Sequence, residues 1–292
     1  MKLNMPRHQQ IYAWLLLFPA LALLAAFTHI PMIKTLWRSF TSSGMQNNTG
    51  FTLDNYRYLL EDDVFWQVLS NSLWYAAVTV PVSMILALAM ALWVNGKIRG
   101  RSALRLAYFT PTILPMITVA NIWLFFYTPE IGLFNNILGW FGHSGYNWLG
   151  DPDLSLFSLM LMTIWKEAGF FMIFYLAALQ GISRDFYQAA AIEGSSRWTT
   201  LRRITLPLLM PTTLFVLINA FLNAFKLVDH LFILTKGGPN NATNLLLYYI
   251  YENAFSFFDA AYASVLTVVL LSILVVLAVF QFGVIERRVH YR

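Results

Sequence analysis

The chain reads as an all-α membrane protein with six transmembrane helices and both termini in the cytoplasm. Three observations predict this. Of 292 residues, 58% are hydrophobic and only 11% charged, too apolar a balance for a soluble domain of this size. Six stretches are long enough to cross a bilayer, which takes about 20 mainly apolar residues: 11–37, 67–94, 104–128, 154–180, 208–235 and 260–284. Lys and Arg gather in alternate connections, the pattern that keeps short loops cytoplasmic.

The first stretch follows Lys2 and Arg7 and starts as a signal peptide would. Its apolar run exceeds the usual 7–15 residues of such a peptide and no small-x-small site follows, so it is expected to remain as an uncleaved first helix. The connection at 38–66 contains Leu53-Asp-Asn-Tyr-Arg-Tyr-Leu-Leu60, an amphipathic piece predicted to form a short surface helix. Pro81, Pro111 and Pro115 fall inside spans, where neighbouring helices can satisfy the carbonyls that proline frees, and they mark expected bends. The connection at 129–153 is turn-rich and aromatic, ending Asn147-Trp148-Leu149-Gly150-Asp151-Pro152, as suits an outer interface. Gly237-Gly238-Pro239 reads as an external turn.

Orientation follows from charge. Thirteen basic residues fall on one side: Lys2 and Arg7; Lys97, Arg99, Arg101 and Arg105; Arg184, Arg197, Arg202 and Arg203; Arg287, Arg288 and Arg292. The opposite loops hold only Arg38, Arg57 and Lys236, with most of the acids. The net charge of +5 is thereby spread over four loops as topology demands, so the basic residues form no nucleic-acid patch. Absence of cysteine excludes disulfides and thiolate chemistry. No Gly/Ser-rich linker or low-complexity tract interrupts the chain, and residues 1–292 are expected to form a single transmembrane domain.

Between the fourth and fifth stretches lies Tyr187-Gln-Ala-Ala-Ala-Ile-Glu-Gly-Ser-Ser-Arg-Trp-Thr-Thr-Leu-Arg-Arg-Ile-Thr-Leu-Pro207-Leu-Leu-Met-Pro211. Helix-compatible residues run from Asp185 to Glu193, Gly194 can turn left-handed past the helix end, and Ser195 or Ser196 can cap a second helix. Pro207 and Pro211 are expected to punctuate the return to the membrane. Small Ala189, Ala190 and Ala191 permit close backbone approach to a partner.

This loop resembles the cytoplasmic coupling loop, the EAA loop, of permease subunits in bacterial ATP-binding-cassette (ABC) importers. Gln188-Ala189-Ala190, Glu193-Gly194-Ser195 and Leu206-Pro207 stand at that family's Glu-Ala-Ala, Asp-Gly-Ala and Leu-Pro positions. Further weak motifs occur in the order and spacing of carbohydrate-importer permeases. They are Phe18-Pro19, Pro31, Ser39-Phe40, Asn55-Tyr56, Asn71-Ser72, Gly132-Leu-Phe-Asn135, Leu234-Thr-Lys-Gly-Gly-Pro239 and Glu286-Arg-Arg-Val-His-Tyr291. The combination is similar to the first of the two permeases in importers for sugars or glycerol phosphate.

The resemblance implies a type I ABC importer transmembrane domain in the cell inner membrane, with cytoplasmic EAA coupling helices at 184–207. It implies a second homologous permease subunit, two ATPase subunits that bind ATP and Mg, and an extracytoplasmic solute-binding protein. Gln188, Ala189, Ala190, Glu193, Gly194, Arg197, Leu206 and Pro207 would then couple to the ATPase. This chain itself carries no phosphate-cradling Gly-x-x-x-x-Gly-Lys-Ser/Thr loop, so no ATP, cofactor or metal is expected on it.

Ionisable groups inside spans cost around 2.5–3.5 kcal/mol on insertion scales and are functional candidates by default. Lys166 and Glu167 lie mid-span in the fourth stretch; as consecutive helical residues they point about 100° apart, which favours pairing across helices over pairing with each other. In the fifth stretch Asn219, Asn223, Lys226 and His230 have the spacing of one helix face, and Asp229 lies three residues from Lys226 and can neutralise it. One reading makes this face, with Lys166 or Glu167 opposite, the border of a solute path, with Trp165, Phe170 or Phe221 as flat surfaces for a sugar. The other has the same groups hydrogen-bonding between helices or to a partner.

Enzyme classes find no footing. The five histidines, His8, His29, His143, His230 and His290, are scattered, with no Ser-His-Asp set and no metal-ligand spacing. The remaining rival is an ion-gradient-driven secondary transporter with Lys166, Glu167, Lys226 and Asp229 as its relay; the absence of an evident inverted repeat weighs against it.

Overall fold

The computed structural model describes residues 7–41, 50–96 and 99–285. Lys2, Lys97, Arg287, Arg288, Arg292 and the closing 286–291 motif lie outside the described residues. The regular structure of the described residues is helical, joined by turns and loops. In chain order the helices are α1 (Arg7–Leu24), α2 (Ile30–Ser39), α3 (Asp54–Glu61), α4 (Asp63–Asn95), α5 (Arg101–Ile113), α6 (Met116–Tyr127), α7 (Leu133–Trp140) and α8 (Pro152–Gly181). Then come α9 (Arg184–Ile192), α10 (Arg197–Thr200), α11 (Leu206–Leu208), α12 (Met210–Lys226), α13 (Asp229–Leu234), α14 (Leu246–Tyr251) and α15 (Ala260–Phe280).

Five helical stretches are long and apolar enough to cross a membrane: Ile11–Ser39, Asp63–Asn95, Pro152–Gly181, Met210–Leu234 and Ala260–Gly283. The sixth is a bent pair. Where a single span is expected at 104–128, α5 and α6 meet at 102°. Pro115 is the cause: it has no N–H to continue the helix, and the residue before it is driven extended, with Leu114 at ψ 136. Pro81, by contrast, is accommodated inside α4 without ending it.

The chain divides into two compact units, residues 1–62 with 250–271, and 63–249 with 272–292. In the first, Asn55 on α3 donates to the carbonyls of Ser39 (3.3 Å) and Thr41 (2.6 Å), and Tyr56 shares a hydrogen bond with Ser39 Oγ. The Tyr262 hydroxyl donates to Asp62. No residue in the most apolar window of Ile11–Ser39 is buried.

The second unit is built on α8. Its long contact with α4 carries two apolar clusters, one around Tyr75, Trp123, Tyr127, Leu159 and Met162, the other around Ala87, Ala91, Phe171, Tyr175 and Leu209. Small Ala87 and Ala91, both fully buried, bring α4 close to its neighbours, as membrane helices require in the absence of a hydrophobic force between them. Arg105 on α5 donates to the Val94 carbonyl and so closes the last turn of α4.

Several of the weak sequence motifs prove to be hydrogen-bond knots. Asn135 accepts from the Tyr146 N–H and the Trp148 indole N–H while donating to the carbonyls of Pro129 and Tyr146. Asn71 donates to the carbonyls of Asn241 and Asn244, and Ser72 Oγ accepts from the Leu246 N–H, which ties the segment after α13 onto α4. Lys236 and Gly237 there adopt positive φ, as a turn requires.

Replacing Asn135 by Leu removes four such bonds from a buried site and is expected to destabilise this unit by about 2 kcal/mol or more. Thermal unfolding of the detergent-solubilised protein measures this; an unchanged midpoint would show that the knot is dispensable.

Candidate functional site

Two arrangements carry the candidate residues: the loop at 184–207 and a polar seam through α4, α8 and α12. The loop folds as two short helices joined by a turn. Ser183 caps α9, its Oγ accepting from the Asp185 N–H, and Asp185 places an acid in the first turn. At the other end the Ser195 N–H returns to the Ala190 carbonyl (2.9 Å) and the Gly194 N–H to Ala191 (3.1 Å), with Gly194 at φ 69. That closure needs a left-handed residue, which glycine supplies without a side-chain penalty. Of the two serines proposed as second cap it is Ser196 that serves, accepting from the Thr199 N–H. Tyr187 on the first limb shares a hydrogen bond with Thr205 on the second.

Pro207 and Pro211 flank a short break in the return path, where α11 ends at Leu208, Leu209 forms a turn and α12 starts at Met210. Both lie in the first turn of a helical segment, where no intrahelical N–H is needed. A wide turn at Leu201–Thr205, with the Leu206 N–H bonded to the Leu201 carbonyl, precedes Pro207. Leu209 keeps right-handed helical angles. From Arg197 to Lys226 the backbone is thus a succession of helical segments, interrupted by a turn at Leu209.

Ala190 is the buried residue of α9, whereas Gln188, Ala189, Glu193, Gly194 and Arg197 are exposed, Pro207 is exposed and Leu206 is half-buried. Exposed beside them are three large apolar side chains, Phe186, Ile192 and Trp198, at 51%, 88% and 68%. The sequence reading passed over these three, although apolar residues at such positions of a basic loop were a visible signal. Under the loop lies a cavity of about 330 Å³ bordered by Leu92, Asn95, Leu179, Tyr187, Ala191 and Ser195.

The polar seam differs from the expected face. Leu227 turns extended (ψ 104), so α12 ends at Lys226 and α13 begins afresh at Asp229. The spacing that aligned His230 with Asn219, Asn223 and Lys226 assumed one unbroken helix. Instead His230 is fully buried, its Nε2 3.2 Å from the Tyr75 hydroxyl, which also donates to Thr163 Oγ1 at 2.6 Å. Lys226 and Asp229 are exposed and make no ion pair with each other; among the described residues the ion pair present joins Arg57 to Asp54. Asn219 donates to the Phe215 carbonyl of its own helix.

Glu167 and Asn223 are brought together. The Asn223 amide donates to Glu167 Oε2 at 2.7 Å, linking α12 to α8. Beside this bond a void of about 10 Å³, the size of one water centre, is lined by Thr79, Ser83, Thr163, Glu167 and Asn223. Lys166 points elsewhere, its Nζ donating to the carbonyls of Pro111 (2.9 Å) and Leu114 (2.7 Å). Trp165 packs against Trp123, and Phe170 against Phe171 and Phe174. Among the described residues no three His, Cys, Asp or Glu side chains converge as metal ligands would.

Residues 79–291, most of this chain, match the family described as binding-protein-dependent transport system inner membrane component. The chain belongs to this family. It is an ABC importer permease of the inner membrane, and relatives cover nearly all of it. The sulfoquinovosyl glycerol transport system permease protein SmoG of Agrobacterium fabrum is 32% identical over 269 residues, 90% of this permease and 87% of that protein. The trehalose/maltose transport system permease protein MalF of Thermococcus litoralis is 34% identical over 261 residues, 88% of each chain. In structure the permease is similar to a chain of a bacterial alginate ABC transporter crystallised in complex with an alginate pentasaccharide-bound periplasmic protein. The TM-score is 0.84 at 24% identity, over 96% of this permease and 95% of that chain. At that identity the likeness speaks for the fold.

The Glu167–Asn223 bond is open to a direct test. Asn223→Leu, which leaves a buried carboxyl without its amide, is expected to destabilise the permease by roughly 1–3 kcal/mol. Adding Glu167→Leu should recover most of that loss, as measured by a double-mutant cycle on the unfolding midpoint. Additive losses would mean the two residues are not coupled.

Proposed function

We propose that this permease forms half of the translocation pathway for a carbohydrate or a related polyol or glycerol-phosphate solute, driven by ATP hydrolysis on partner subunits. It pairs with a second homologous permease, rests on two ATP-binding-cassette ATPases and receives solute from an extracytoplasmic binding protein. Both termini and the 184–207 loop face the cytoplasm, and residues 1–292 act as one transmembrane permease domain. The ATP and Mg belong to the ATPases. The family match and the sugar and sugar-glycerol names of the relatives support the solute class.

The observation that carries this reading is the shape of the loop. A coupling element has to pass on a push of a few ångströms without unfolding. Two capped helices closed at Gly194 meet that need, and α10 leads into α12 through short helical segments with a turn at Leu209. Asn223 on α12 is bonded to Glu167 on α8, so motion of the loop reaches the polar seam through these helical segments and one hydrogen bond. Phe186, Ile192 and Trp198 supply the apolar contact area that an ATPase groove would cover, around Gln188, Ala189, Glu193 and Arg197. Closure of the ATPases then rocks these segments and switches the pathway between inward-open and outward-open arrangements.

Exposed Lys226 and Asp229, with Asn219 and the Glu167–Asn223 pair behind them, form the polar wall toward the solute. Their separation disfavours the rival proton or ion relay, which needs hydrogen-bonded continuity between Lys226, Asp229 and Glu167.

Ala190→Glu or Gly194→Val is expected to leave membrane insertion intact and to abolish solute-stimulated ATP hydrolysis by the assembled complex. Lys226→Met should alter the KM or solute range of uptake without moving the thermal midpoint. Vesicles supplied with ATP and no ion gradient should take up solute. Uptake that runs on an ion gradient and ignores ATP would establish the secondary transporter instead.

A further inference from the structure

The break in the third span exposes a specific chemical need. In a continuous helix the Pro111 carbonyl would accept from the N–H of residue 115, but that residue is Pro115 and has none. Leu114, held extended before the proline, turns its own carbonyl off the helix path. Pro111 is buried, and an unpaired carbonyl in the interior of a membrane protein is costly. Lys166 Nζ lies within hydrogen-bond distance of both oxygens.

Three residues along α8, on the same face, Gly169 makes the second contact with α5. A Cβ there would collide with the Tyr108 carbonyl oxygen, so the backbones touch only because residue 169 is glycine. One face of α8 thus grips α5 at two successive points, by bare backbone at Gly169 and by an ammonium group at Lys166. Glu167, pointing away from that face, ties α8 to α12 instead. Consecutive residues of α8 therefore join the broken third span to α12.

We propose that Lys166 is a positioning residue that holds the third span bent, an interhelical cap supplying the donor that Pro115 lacks, and that it does not contact solute. Its effect on transport rests on the importer reading above; its effect on stability does not.

The test uses the assembled complex in lipid vesicles with Lys166→Met, Lys166→Arg, Pro115→Ala and the double variant Lys166→Met/Pro115→Ala. Lys166→Met is expected to lower the thermal midpoint by roughly 3 °C or more and the maximal uptake rate about tenfold or more, with KM changed by less than about twofold, as loss of a non-solute contact implies. Lys166→Arg, which keeps the donors, should retain both midpoint and rate. Adding Pro115→Ala to Lys166→Met should restore the midpoint, because residue 115 then offers an N–H and Leu114 is free to turn helical. Uptake should stay low, since the bend is lost. If Lys166→Met fails to assemble, recovery of assembled complex in the double variant carries the same meaning. The proposal is overturned if Lys166→Met raises KM at an unchanged midpoint, or if Pro115→Ala restores neither midpoint nor assembly. Should no variant, nor the parent, take up solute with ATP, the importer reading fails while the midpoints still decide the capping role.

Discussion

Within hydrocarbon no water is at hand for a stray backbone N–H or C=O, and this constraint governs how the membrane unit is put together. Helices that run straight meet it by themselves. Where proline interrupts them, some other group must supply a donor or the helix must rewind. Both answers appear in this permease. At Pro207 the helix widens by one residue just upstream and passes through a turn at Leu209 before α12 resumes. At Pro115 it breaks through 102°, and the freed carbonyls are met from a neighbouring helix by Lys166. The first solution leaves Leu209 in right-handed helical angles, and the second creates a corner.

That contrast separates two parts of the permease. Between the loop and the polar seam the chain is helical from Arg197 to Lys226 apart from the turn at Leu209. The third span instead is bent sharply. α8 lies between the two and engages each with different residues. Gly169 and Lys166 face α5, Glu167 faces α12, and the Tyr75–Thr163 bond faces α4. Buried polar groups in a bilayer are expensive, and here Lys166, Glu167 and Thr163 each tie α8 to a different helix, so their expense is offset by the register they fix.

The weak motifs shared along the chain have a similar physical basis. Asn55, Asn71 and Asn135 are all amides with two donors and one acceptor, and each stitches irregular backbone that has no helical partner of its own. Such residues are interchangeable with few others, because a carboxylate cannot donate and a hydroxyl cannot bridge as many groups. They position the loops and need make no contact with solute.

Much of the architecture was legible in the chain itself. Bilayer-length apolar stretches, the surface helix at 53–60 and the caps and left-handed glycine of the 184–207 loop depend on local periodicity and on single-residue conformational preference, which act over a few neighbours. Tertiary structure alone decided where the polar side chains go. The face drawn through Asn219, Asn223, Lys226 and His230 presumed an unbroken helix, whereas Leu227 ends it and sends His230 into the core beside Tyr75. Lys166 and Glu167, adjacent in sequence, acquired opposite partners because those partners come from residues 111–114 and 223, brought together only by packing. Helix content follows from short-range sterics and hydrophobic pattern; the fate of a buried charge follows from which distant backbone happens to be missing a hydrogen.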